Sequence, residues 1–163
     1  MKQQDVAHNQ KSEIEIGAFP EVSFDEEYLS SMAGNPKPIF DPEAFNRYFG
    51  GATKEVGIVI FTKCAEKMLL EMPKQLESLI NAYQSGGQSD LNHLAHRLKS
   101  SFRTLGGESI AYFLELIESG KISHSKAIAV ALRNIETMAA EFSLELAKFL
   151  VLLKAGRTKG GQS

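Results

Sequence analysis

Ile128, Ala131, Leu132, Ile135, Met138, Ala139, Phe142, Leu146, Phe149 and Leu153 recur three or four residues apart. That spacing draws one apolar stripe along a helix of about 3.6 residues per turn. A stripe of this length cannot stay in water, and one helix cannot cover it. It must be buried by other helices. The chain supplies them, each ended by glycine. Thr53 to Gln84 carries Val56, Val59, Ile60, Cys64, Met68, Met72, Leu76, Leu79, Ile80 and Tyr83 as its expected apolar face, and Gly86-Gly87 closes it. Residues 88–105 carry Leu91, Leu94, Ala95, Leu98, Phe102 and Leu105, and Gly106-Gly107 follows. Glu108 to Glu118 turns Ile110, Phe113, Leu114 and Ile117 inward and stops at Gly120. The last helix is expected over Ser123 to Lys154. Four such helices joined by short glycine turns predict an all-α fold, an antiparallel four-helix bundle.

Short helices are expected ahead of it. Asp41-Pro42-Glu43 is a capping side chain followed by proline at a first helical position, with Phe45, Tyr48 and Phe49 as anchors. Residues 1–38 hold three lysines against seven acidic residues, a net charge of -4. They read as a largely flexible acidic tail in which 24–33 has the pattern of a short helix. The bundle is expected over 39–155 and a flexible C-terminal tail over 156–163. Pro73 is expected to kink its helix by removing one backbone donor.

Composition narrows function mainly by exclusion. A net charge of -2 gives no reason to expect nucleic acid or an anionic membrane as partner. The single cysteine, Cys64, permits no internal disulfide, fits a reducing compartment, and is expected as a small core residue. No apolar run approaches a membrane span, and the N-terminus lacks a signal-peptide pattern, so a cytoplasmic protein is expected. A monomer is expected too, since one bundle can cover every stripe named above. No Gly-x-x-x-x-Gly-Lys loop or nucleophile elbow is present, so ATP-dependent kinase activity is not expected of this chain.

The third segment carries the chemistry. Opposite its apolar side stand His93, His96, Arg97, Ser100, Arg103 and Thr104. His96, Lys99, Ser100 and Arg103 fall over one patch of helix surface, with no carboxylate in that turn. An imidazole ringed by cations and a hydroxyl is a place for an anion. The plain alternative is a solvated histidine on a polar face. Asp90, His93 and His96 form a ladder that touches on metal binding. However, a zinc site needs three or four ligands, usually from more than one element, and no second cluster supplies them, so no metal is expected.

The run Ala95-His96-Arg97-Leu98-Lys99-Ser100-Ser101, closed by Leu105-Gly106, resembles the signature of histidine-containing phosphotransfer (HPt) domains: Ala-His-x-Leu-Lys-Gly-Ser, then Leu-Gly-Ala. The departures are Ser100 for glycine and Gly107 for alanine, and the resemblance spans about residues 40 to 154. It implies a phosphoryl carrier shuttling between receiver-domain aspartates, with His96 as phosphoacceptor through Nε2. Lys99, Ser100 and Arg103 would stabilise the phosphoryl group, and His93 and Arg97 would belong to the docking surface. It implies response-regulator receiver domains or a hybrid sensor kinase as partners. No cofactor is expected in this chain, and Mg2+ is expected in the receiver. Two other readings stay open. One is a phosphate-independent helical adaptor or inhibitor that docks receiver or kinase domains. The other is a structural bundle whose acidic tail does the binding.

Overall fold

A computed structural model describes residues 37–51 and 53–160, with side chains through residue 156. The helix expected over 24–33 and the rest of the acidic tail lie outside the described residues. Within them the chain is helical, with no strand: α1 (Ala44–Phe49), α2 (Lys54–Gln84), α3 (Gln88–Thr104), α4 (Glu108–Glu118) and α5 (Ser125–Gly160). α2 packs on α3, α3 on α4, α4 on α5, and α5 returns to α2. Tyr83 meets Ser125, Met72 meets Ser143 and Glu66 meets Lys154, so α2 and α5 pass each other in opposite senses.

Local chemistry sets the helix ends. Thr53 accepts from the backbone N–H of Val56, satisfying one of the free donors of α2. Asp41 Oδ1 accepts from the N–H of Glu43 at 3.0 Å and organises the turn into α1. His124 Nδ1 accepts from the N–H of Lys126 at 3.3 Å at the start of α5. Pro73 lies inside α2 without ending it. α5 was expected to stop near Lys154, yet its backbone stays helical to Gly160. A single Gly156 costs about 1 kcal/mol relative to alanine, too little by itself to end an established helix.

The buried stripes of α3, α4 and α5 follow the sequence pattern. Leu91, Ala95, Leu98, Phe102, Ile110, Leu114, Ile117, Leu132, Ile135, Phe142 and Leu146 are all essentially inaccessible. α2 differs in its first half. Val56 and Ile60 are nearly half exposed and Cys64 is exposed, while Ile58, Phe61 and Ala65 point inward. The run from Val56 to Phe61 is apolar on every side, so periodicity alone does not fix its rotation. The aromatic residues fix it. α2 and α5 are about twice as long as α3 and about three times as long as α4, so one end of the pair needs another cover. Phe45 and Phe49 meet Phe61 edge-on at 5.5 and 5.1 Å, and Phe40 lies 5.9 Å from Phe142 and 5.5 Å from Phe149.

The α3–α4 turn is the tightest point of the fold. Gly106 has φ of +92°, and Cα substitution there would drive a carbon into the carbonyl oxygen of Asp41. The same segment is tied down by the N–H of Asp41 donating to the Gly106 carbonyl at 2.9 Å. We predict that Gly106→Ala destabilises the fold by about 1–3 kcal/mol, the sum of left-handed strain and a displaced strap. Urea unfolding measures it, and a midpoint equal to that of the parent protein contradicts it.

Candidate functional site

The site is built on the α3–α4 hairpin. Because Leu91, Ala95, Leu98 and Phe102 are buried, the opposite side of α3 must face outward. His96 lies on that side with its side chain 60% exposed. Ser100, one turn along, is exposed, and its hydroxyl donates to the His96 carbonyl at 3.3 Å. His93 and Arg97 are also exposed.

A carboxylate that the sequence reading did not place completes the site. Glu118, the last residue of α4, puts Oε1 2.5 Å from His96 Nδ1 and Oε2 2.5 Å from Lys99 Nζ. The cation-ringed imidazole of the sequence reading is thus corrected. The ring is flanked by an acid–base pair, and Lys99 is largely covered, its side chain 16% exposed. Lys99 holds the Glu118 carboxyl below the ordinary carboxylate range, with His96 adding to the effect against partial burial, which acts the other way.

An ionised carboxylate has no proton to give, so His96 Nδ1 carries the hydrogen and donates it. In the neutral ring the lone pair is then on Nε2, the nitrogen not engaged by Glu118.

Arg103 goes to a different task. Its Nη2 lies 3.1 Å from Glu115 Oε2 and its Nε 3.5 Å from Glu108 Oε2, so it ties α3 to α4 further along the hairpin. The structure therefore gathers Lys99 and Ser100 around His96 and engages Arg103 with α4. Glu118 had a legible signal. Residues equally far from a Gly106-Gly107 turn meet across an antiparallel hairpin, which sets Glu118 within about one residue of His96. Among the described residues, no group of three or more His, Cys, Asp or Glu side chains is placed to hold a metal ion, and no helix is long and apolar enough to cross a membrane.

The fold and site define a class: a helical domain that presents an exposed histidine, braced by a carboxylate, from a helical hairpin. Residues 64–144, about half of the chain, match the family model described as Hpt domain, and the chain belongs to the histidine-containing phosphotransfer family. That family serves histidine phosphotransfer in phosphorelays and signal transduction. Comparison with curated proteins and with solved structures gave no significant match.

The sign of the Glu118 effect gives a test. A carboxyl whose folded pKa lies below its unfolded value near 4.5 stabilises the fold above that value, and the stabilisation is lost as pH falls through the folded pKa. Glu118→Gln is predicted to be less stable than the parent at pH 7, with the gap closing as pH drops below about 4. Urea midpoints of both proteins across pH 3 to 7 check it. A pH-independent gap contradicts the assigned ion pair.

Proposed function

We propose that this protein is a phosphoryl carrier of a two-component phosphorelay, with His96 Nε2 as the phosphoacceptor. The observation that carries the reading is the 2.5 Å contact of Glu118 with Nδ1, which leaves the outer nitrogen of an exposed ring as the lone-pair site. The helices are read as an antiparallel four-helix bundle in which α2, α3, α4 and α5 are the long members and α1 a lid.

The donor is the acyl phosphate of a receiver-domain aspartate. Nε2 attacks phosphorus in line, the N–P bond forms, and the P–O bond to the aspartate breaks, returning its carboxylate. As Nε2 gives up its lone pair, the ring becomes cationic while Nδ1 keeps its proton. Glu118, already bonded to that proton, offsets the new charge. Lys99 has three donors, so it can hold Glu118 with one and offer another to a phosphoryl oxygen. Ser100 is small enough at its position to admit a partner loop beside the ring. Arg103 supports the hairpin from Glu108 and Glu115 and lends positive potential near the site. His93 and Arg97 form part of the docking rim. Mg2+ and the remaining catalytic groups belong to the receiver, and a second receiver or a hybrid sensor kinase completes the relay. A cytoplasmic location follows from such partners.

Incubation with a phosphorylated receiver is expected to give an acid-labile, alkali-stable phosphoprotein. His96→Gln abolishes labelling, Lys99→Ala slows it roughly tenfold, and Glu118→Gln slows it by a similar factor through loss of ring orientation. Transfer rates measured by rapid quench decide the matter. A folded His96→Gln protein labelled at the parental rate overturns the assignment. A parent that binds receivers and never becomes labelled points instead to a phosphate-independent adaptor.

A further inference from the structure

The inner stripe of α5 is not its only apolar face. Ala140, Leu144, Ala147 and Val151 follow one another at intervals of four, three and four residues. They lie on the side of the helix turned away from the buried Ala139, Phe142 and Leu146. All four are exposed, Leu144 at 64% and Val151 at 66%, and Leu152 beside them is 68% exposed. Alternating steps of three and four are the seam spacing of a coiled coil. Ala140 also borders an open groove of about 420 Å³ between α2 and α5, floored by Met72, Leu76 and Pro73.

We propose that this face pairs with the same face of a second copy of the chain, the two α5 helices running antiparallel about a two-fold axis near residue 145. Size and charge on the face both select this partner. When Leu144 lies opposite Ala147 of the second copy, the same register sets Val151 opposite Ala140. Each large side chain meets a small one, and the two-fold repeats every contact, so the contact surface is closed and self-complementary. Glu141 and Lys148 flank the seam on one side, both exposed. The antiparallel register brings Glu141 of one copy beside Lys148 of the other, twice per dimer. A parallel register would stack alanine on alanine and leave both charges without an opposite number. Lys148, which rests on Glu145 of its own helix at 2.9 Å, has the reach to exchange that bond for the one across the axis.

The helix is already held by the rest of the fold, so association does not have to order it. About three turns of seam on each copy are a small surface, and the dimer is expected to dissociate at about 10 µM. The phosphoacceptor lies on α3 and is braced by α4, so pairing through α5 is independent of the chemistry at His96.

Sedimentation equilibrium of the full chain from about 1 to about 500 µM tests the pairing. The mass should rise from 17.9 kDa towards twice that value. Leu144→Lys on this exposed position should abolish the rise with unchanged helical circular dichroism. Glu141→Lys or Lys148→Glu alone should weaken the dimer roughly tenfold, and E141K/K148E together should restore it, because the exchanged charges again face their opposites. His96→Gln should dimerise like the parent. A chain that is monomeric throughout, a dimer indifferent to Leu144→Lys, or a double variant as weak as the single ones overturns the proposal.

Discussion

The direction of one imidazole depends on what α3 buries. Leu91, Ala95, Leu98 and Phe102 occupy one side of that helix and are almost wholly removed from water. Turning the helix by a third of a revolution would expose much of that surface and force polar groups such as Ser100 or Lys99 towards the core. Each apolar side chain moved into water costs about 1.5–3 kcal/mol, and each unpaired polar group taken out of water adds to the cost. His96 therefore points outward because leucines and a phenylalanine point inward. The Gly106 turn then folds α4 back along α3, and Glu118 arrives beside the ring as a result of hairpin length.

The electrostatic character of the site differs from a bare cluster of cations. Lys99 and Glu118 form a partly covered ion pair, and the ring is hydrogen-bonded to the acidic partner. Such a pair stabilises little through net Coulomb attraction, since both groups give up water to form it. Its effect is positional: it fixes the ring's tautomer and supplies a counter-charge in advance of the charge that phosphorylation would create. Ordering of this kind lowers the reorganisation needed at the moment of transfer.

Much of this was legible in the sequence because the residues that α3, α4 and α5 bury recur at helical spacing. The α3, α4 and α5 faces were read correctly from spacing alone. α2 was not, because the run from Val56 to Phe61 is apolar all round, and its rotation is set by Phe45 and Phe49 from another element. Cys64 went with it and came out exposed. The local pattern around His96 singled out the ring and its lysine. It had no view of Glu118, a residue 22 positions away whose approach depends on the turn between the helices. Helical periodicity sees neighbours one turn apart, whereas contacts across a hairpin need the turn to be located first.

The central claim is that His96 holds its proton on Nδ1 and offers Nε2. Nitrogen-15 NMR of the neutral histidine ring reads this directly. The account predicts an Nδ1 shift typical of a protonated nitrogen and an Nε2 shift typical of a free lone pair, with the distinction lost in Glu118→Gln. A neutral His96 that carries its proton on Nε2 in the parent protein would contradict it.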